Sequence, residues 1–181
     1  MRNGTSIGQF SSALVFCVGP LLGCQPAEQL EAGSGTLSGA KPAVAVRNGQ
    51  AVATWHRSDG VHVSSYQGSS WSVPQVLGPG TFPEVAVSSS DLAIVMFRAG
   101  SALKTATRTP GGWSTHTLDP SPVAGYGVAM EGNGRVAAVW SVSGQVRAAI
   151  KEPEGWLATT VLSSSAASGW PRVAVNDSGV A

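Results

Sequence analysis

The sequence predicts an all-β fold built from repeated four-stranded sheets, and its composition, its periodic tryptophans and its recurring apolar segments point to that class. Charged residues make up 12% of the 181 residues, and 23 residues are glycine. This charged share is about half the usual one for soluble domains. Many of the apolar residues are alanine and valine. Short strands joined by turns of small residues suit such a composition better than helices do.

The N-terminal segment is predicted to be a targeting signal that takes no part in the fold. Arg2 supplies a minimal positive charge, and the apolar run over 10–22 is too short to span a bilayer. The run ends in Leu-Leu-Gly-Cys over 21–24, which resembles the lipobox of bacterial lipoproteins. That resemblance implies a signal peptide of residues 1–23 and acylation of Cys24, which would anchor the chain to the extracytoplasmic side of a bacterial membrane (outer membrane or cell surface). An ordinary secretory leader, or a buried apolar segment with an incidental cysteine, is the alternative.

The rest of the chain is predicted to begin with a tether and to contain no cysteine. The two cysteines of the sequence, Cys17 and Cys24, both belong to the N-terminal segment, so we expect no internal disulfide and no thiolate metal site. Residues 24–40 are small and polar without a hydrophobic period, as in a flexible linker. The chain has 11 basic and 10 acidic residues, and loss of Arg2 balances them. A neutral surface predicts no nucleic-acid partner.

Three sets of landmarks recur along the chain with nearly the same period. Trp71, Trp113 and Trp156 are spaced by 42 and 43 residues, and each follows a turn signal that contains glycine. A second, valine-rich and alanine-rich set lies at 42–46, 83–87, 126–130 and 171–175. A third, apolar set lies at 51–55, 92–97 and 136–140. A shared period of this length is the signature of a repeat architecture.

Each repeat is predicted to contain four strands that become more polar from first to last. The first two strands, near 42–46 and 51–56 in the first repeat, are almost continuously apolar and are expected to be buried on both faces. The third strand alternates, and the fourth contains Pro74, which belongs at a sheet edge. This gradient is typical of a β-propeller blade with a period of 42–45 residues. The expected repeats are three full blades and the start of a fourth: 41–80, 81–122, 123–168 and 169–181.

The repeats look like the sialidase-like propeller repeats of secreted bacterial proteins. The resemblance rests on Pro-x-Val-Ala-Val, a glycine turn, an apolar strand ending in tryptophan and a Gly-Trp turn, and it covers residues 41–181 at the level of architecture. The sialidase turn Ser-x-Asp-x-Gly-x-x-Trp is absent, and Tyr66 and Tyr126 stand alone. Sialidase activity is therefore not carried over. Because propellers close with about four to eight blades, we expect either a truncated chain, which is favoured, or a ring completed by assembly of several chains.

No catalytic constellation, metal site or cofactor site is predicted. His56, His62 and His116 lack the spacing of a metal pair and are interpreted as incidental surface or strand residues. No Gly-x-Ser-x-Gly nucleophile turn occurs in the sequence. We therefore expect a protein that is not an enzyme and has no cofactor.

One group of residues is a candidate for ligand binding. Aromatic side chains precede or begin the first strand of successive repeats, and arginines lie where the second strands end. In a propeller, the loop before the first strand and the loop after the second strand open on the same rim. The candidates are Phe82, Tyr126, Trp170, Arg57 and Arg98. Aromatic residues with a few polar neighbours stack on sugars or hold a peptide. In the alternative reading, the aromatics plug the gaps between neighbouring blades.

The function expected from these features is that of a membrane-anchored, extracytoplasmic binding or scaffolding module, held by lipid on Cys24, for carbohydrate or an envelope protein. A second hypothesis is the N-terminal part of a sialidase-like, glycoside-active enzyme whose catalytic residues lie in missing blades. A purely structural envelope protein is the third. Ligand identity and blade number are not specified by the sequence.

Overall fold

The computed structural model describes Leu30, residues 42–163 and residues 169–176. These residues form fourteen β-strands, which confirms the all-β prediction. Among them, no helix is long and apolar enough to cross a membrane. The predictions for the signal peptide, for Cys24, for nearly all of the tether and for the last residues of the chain concern segments outside the described residues.

The first sheet is an antiparallel meander whose fourth strand is in two pieces. Its strands are β1 (Ala43–Arg47), β2 (Gln50–Arg57), β3 (Gly60–Gln67), β4 (Ser70–Trp71) and β5 (Gln75–Gly78). Both β4 and β5 pair with β3, and residues 72–74 interrupt the outer strand between them. Pro74 lies in this interruption, where its missing N–H costs no ladder hydrogen bond.

The second and third sheets repeat the same strand order. The second contains β6 (Thr81–Val87), β7 (Ala93–Ala99), β8 (Ala102–Thr109) and β9 (Gly112–Asp119). The third contains β10 (Val123–Met130), β11 (Val136–Val142), β12 (Gln145–Glu152), β13 (Gly155–Trp156) and β14 (Thr160–Ser163). In the third sheet β13 and β14 both pair with β12, so its outer strand is interrupted as in the first sheet.

Two hairpin turns of the first sheet lie at or next to the Asn-Gly and Asp-Gly pairs of the sequence, and one of them is displaced by one residue from its predicted position. Asn48 and Gly49 join β1 to β2 with φ of +50° and +77°, the conformation that a two-residue Asn-Gly hairpin requires. The turn predicted at Asp59-Gly60 ends one residue earlier, because Gly60 pairs with Arg57 and already belongs to β3. Its φ of +138° disfavours any residue with a side chain.

Apolar side chains fill the spaces between neighbouring sheets. Between the first and second sheets the buried residues include Val52, Val63, Val95 and Phe97. Between the second and third they include Met96, Leu103, Tyr126 and Trp140. Two of the periodic tryptophans pack at these interfaces, Trp113 against the first cluster and Trp156 against the second.

The predicted burial of the first strand on both faces is wrong for β1. Its residues alternate, with Val44 and Val46 left 41% and 49% exposed. Ala45, between them, packs against the core between the first two sheets. Because successive side chains of a strand point to opposite faces, only the face of β1 that meets the second sheet is covered. Strands β2, β7 and β11 are buried through most of their length, as expected.

The first strands of the sheets lie close together. Arg47 at the end of β1 donates a hydrogen bond of 3.3 Å from Nη1 to the carbonyl of Met130 at the end of β10. The segment 169–176 lies beside β10, since a Cβ built on Gly125 would lie 2.8 Å from the carbonyl oxygen of Gly169. The first contact joins the first and third sheets, and the second places residue 170 next to the start of β10.

Candidate ligand-binding site

Four of the five predicted binding residues meet at one end of the sheets. Phe82 lies in β6, Tyr126 in β10, Arg98 in β7 and Trp170 in the segment 169–176. The start of a first strand and the end of a second strand are neighbours in an antiparallel pair. Arg57 lies at the end of β2, next to His56, and its charge contributes to the lowered pKa of Asp59, after the larger effect of the His62 hydrogen bond.

The three aromatic side chains contact one another through Trp170. The centroids of the Phe82 and Trp170 rings are 6.3 Å apart, with ring planes at 72°. The Tyr126 and Trp170 centroids are also 6.3 Å apart, with planes at 50°. Trp170 is 55% exposed, whereas Tyr126 is only 2% exposed. The indole of Trp170 is therefore the part of this group that is most accessible to a ligand.

Tyr126 fills the space between two sheets. Its hydroxyl donates to the carbonyl of Thr81 at 3.2 Å and also to the carbonyl of Phe82, both at the start of the second sheet. Burial raises the pKa of Tyr126 well above its ordinary value. Tyr126 therefore fills the gap between two sheets, as in the alternative interpretation, while the side chains of Phe82 and Trp170 remain partly exposed.

Phe82 has a strained backbone that its neighbours hold in place. Its φ is +54°, and the register of β6 against β7 shifts between Thr81 and Glu84. A positive φ costs a residue with a Cβ roughly 1–2 kcal/mol. The carbonyl of Phe82 accepts from Tyr126, and its N–H donates to Nδ1 of His56 at 3.3 Å. Strain of this kind is found where a function requires one particular geometry.

Charged groups flank the aromatic rings. The guanidinium carbon of Arg98 lies 4.9 Å from the centroid of the Phe82 ring, which is within cation–π range. Arg172 and Glu84 form an ion pair of 3.0 Å that joins the segment 169–176 to β6. The group made by Phe82, Tyr126, Trp170, Arg98 and His56 is called the aromatic cluster below.

His56 lies in strand β2, as interpreted from the sequence, and it also contacts Phe82. Its ring meets that of Phe82 edge-on, with centroids 5.5 Å apart, in addition to the hydrogen bond to the Phe82 amide. The signal that points to this role is position, since His56 directly precedes Arg57 at the strand end predicted to share the rim. His62 is instead buried beside Trp55 and bonded to Asp59 at 2.8 Å, and His116 lies exposed on β9.

The buried carboxylate of Asp119 is held by hydrogen bonds from the third sheet. Its carboxylate accepts from Nε1 of Trp140 at 2.7 Å and from Nη1 of Arg147 at 3.0 Å, which joins the end of β9 to the third sheet. Burial alone would raise the pKa of Asp119, but the hydrogen bonds from Ser121 and Trp140 and the charge of Arg147 outweigh it and lower that pKa. In the described part of the chain, no group of three or more acidic, histidine or cysteine side chains could hold a metal ion.

Neither a scan against protein-family models nor a search of curated proteins gives a match to this chain.

Proposed function

We propose that this protein is a carbohydrate-binding module of the bacterial cell envelope, with the aromatic cluster as its site. One observation carries the proposal: the half-exposed indole of Trp170 lies beside Phe82, whose strained backbone is held by two hydrogen bonds and whose ring lies under Arg98. An arrangement that maintains strain to present a ring is preorganised for a ligand, because less ordering is left to be done on binding.

The chemistry of the site suits a sugar. The indole of Trp170 and the edge of the Phe82 ring offer apolar surface for the C–H groups of a pyranose ring. Arg98, Arg172 and Glu84 supply donors and acceptors around them, which suits the hydroxyl groups of the same ligand. Apolar surface with a few fixed polar groups around it is the usual composition of a small-molecule site.

The finer architecture that we propose is a β-propeller in which each sheet is a blade. Each described sheet is a four-stranded antiparallel meander that packs face to face with its neighbour. The hydrogen bond from Arg47 to Met130 and the ion pair of Glu84 with Arg172 favour first strands arranged around a common axis, because each links segments that do not belong to adjacent sheets. Such an arrangement presents the aromatic cluster on one rim.

The proposed location is the outer face of a bacterial membrane, with the protein anchored by lipid on Cys24. The lipobox-like motif over 21–24 supports this location, and the small polar residues up to position 40 suit a tether. A module held near the membrane surface by such a tether would meet the polysaccharides of the envelope at high effective concentration.

A glycan array tests the proposed function directly. The full-length chain, in detergent, is applied to the array as wild type and as the variants Trp170→Ala, Phe82→Ala and Val73→Ala. Val73 is the matched control because it is apolar and 83% exposed but lies in the interruption between β4 and β5, at the outer edge of the first sheet. We expect the first two variants to lose the signal by at least about thirtyfold, as expected for a central aromatic contact. Wild-type binding that both variants retain, or no binding at all, would contradict the proposal.

A further inference from the structure

The hydrogen bond between His56 and Phe82 requires a neutral imidazole. The Phe82 N–H is the donor, so Nδ1 of His56 must present its lone pair, and the ring proton must be on Nε2. The bond joins the end of β2 in the first sheet to the start of β6 in the second. It therefore links the protonation state of one side chain to the backbone of the strained aromatic residue in the cluster.

Phe82 depends on this link more than an ordinary strand residue would. Because the register shifts between Thr81 and Glu84, Phe82 has no directly opposite ladder partner on β7. Its positive φ is unfavourable without outside support. The carbonyl accepts from the hydroxyl of Tyr126, and the N–H donates to His56. Loss of the His56 bond would leave the N–H side of a strained residue unsupported.

We propose that His56 is a proton switch for the aromatic cluster: protonation of Nδ1 ends its role as acceptor, releases Phe82 from its strained conformation and weakens ligand binding at acid pH. The proposal rests on the proposed carbohydrate site and adds its regulation. In the protonated ring both nitrogens are donors, so the Nδ1–H and the Phe82 N–H would face each other. The ring would then have to turn, or the start of β6 would have to move.

The surroundings of His56 favour the neutral form. Burial lowers the pKa of His56, and a hydrogen bond accepted by the neutral ring acts in the same direction. The charged groups on the adjoining elements are Arg57 on β2, Arg98 on β7, Arg172 in the segment 169–176, Glu84 on β6 and Asp59 in the turn before β3. Both acids are engaged elsewhere, Glu84 with Arg172 and Asp59 with His62 on the other face of the sheet.

The sign of the pH effect follows from this lowered pKa. The folded form binds fewer protons than the unfolded chain at pH values below the ordinary histidine pKa of about 6.5. The ordered cluster is therefore complete at neutral pH and is lost as the pH falls through the lowered pKa of His56. One linked proton allows binding to fall by at most about tenfold per pH unit below that pKa.

Amide and imidazole NMR of the full-length chain between pH 8 and pH 4.5 tests the switch without a ligand. We expect the Phe82 amide resonance to move with the same midpoint as the His56 ring, and the His56→Asn variant, which retains an acceptor oxygen near the position of Nδ1, to show no such movement. His116→Gln is the control, because His116 lies exposed on β9 and should leave the Phe82 titration unchanged. A Phe82 amide that does not follow His56 would overturn the proposal.

The same variants separate this proposal from the proposed function. For the glycan found on the array, the wild type should lose affinity between pH 7.5 and pH 4.5, while His56→Asn should bind equally at both. Equal pH dependence in the two proteins would overturn the switch and leave carbohydrate binding in place. If no glycan binds, the proposed function fails, and the NMR titration still decides whether His56 controls the conformation of Phe82.

Discussion

Tyr126 is the buried member of the aromatic cluster and supports the proposed binding site from within. Its hydroxyl donates to the carbonyls of Thr81 and Phe82 from a position between two sheets. The exposed surface of the site belongs to Trp170, next to it. In the proposed site, Tyr126 holds the backbone of Phe82 in place beside Trp170.

Removal of the Tyr126 hydroxyl should therefore destabilise the protein and weaken binding together. Tyr126→Phe leaves two carbonyls without this donor, and we expect a loss of about 1–3 kcal/mol in the free energy of unfolding. Urea denaturation measures it. Tyr66→Phe is the control, because the Tyr66 hydroxyl bonds to Gly68 near the surface and should contribute less than about 0.5 kcal/mol. Equal effects of the two changes would contradict the role assigned to Tyr126.

Part of this residue-scale description was accessible from the sequence. The recurrence of aromatic residues at the start of successive first strands predicted that Phe82, Tyr126 and Trp170 lie at one end of the sheets, and the structure brings them into contact. The burial of Tyr126 and the positive φ of Phe82 were not predictable. A strand pattern gives positions along a strand, whereas burial depends on the neighbouring sheet, and the bulge at Phe82 has neither glycine nor asparagine to signal it.

At the scale of elements, the position of the segment 169–176 depends on glycines in β10. A Cβ at Gly125 would lie 2.8 Å from the carbonyl oxygen of Gly169 and 2.9 Å from Cα of Trp170. Both distances are shorter than real Cβ contacts allow. The absence of a side chain at position 125 is therefore what lets the segment lie against β10 and bring Trp170 to the other aromatic residues.

The variant Gly125→Ala should displace Trp170 and reduce glycan binding by at least tenfold while the three sheets remain folded. The backbone atoms that it meets cannot rotate away, so the segment itself must shift. Gly111→Ala is the matched control, because its nearest neighbour would be 4.0 Å away in an exposed turn. Binding is measured by titration calorimetry and folding by circular dichroism. Unchanged affinity in Gly125→Ala would show that the segment does not position Trp170.

The junction of β9 with the third sheet should be sensitive to acid. Asp119 accepts hydrogen bonds from Trp140 and Arg147, and its pKa is lowered in the folded protein. A lowered carboxyl pKa contributes stability above the ordinary value of about 3.9, and this contribution is lost as the pH falls through the folded value. Asp119→Asn should therefore cost about 1–3 kcal/mol at pH 7 and much less near pH 2. Thermal unfolding at both pH values measures the difference, and an equal cost at both would contradict the assignment.

The elements themselves were predicted in number and order better than in detail. The tryptophan spacing and the glycine turns indicated four strands per repeat, because the same signals recur at the same places. The exposed face of β1 and the interrupted outer strands of the first and third sheets were not predicted. Both depend on what covers a strand or pairs with its edge, and an apolar run such as Val44–Val46 reads the same whether one face is covered or two.

At the scale of the whole molecule, the proposed binding site depends on the repeat. Phe82 and Trp170 occupy corresponding places in two repeats, and Tyr126 lies one position further along in the repeat between them. The contacts of Trp170 with the other two rings bring the three together in the proposed site. The same repetition distributes the six tryptophans of the chain among the sheets and the segment 169–176. Each indole N–H is thus a separate reporter for one region of the protein.

Ligand binding at the aromatic cluster is tested most sharply by an NMR titration of these six indole N–H signals with the glycan selected on the array, assigned by Trp170→Phe and Trp140→Phe. We expect the Trp170 signal to move on binding, while that of Trp140, bonded to Asp119 in the core, stays in place. A titration that shifts the indoles of the sheets and leaves Trp170 in place would contradict this expectation.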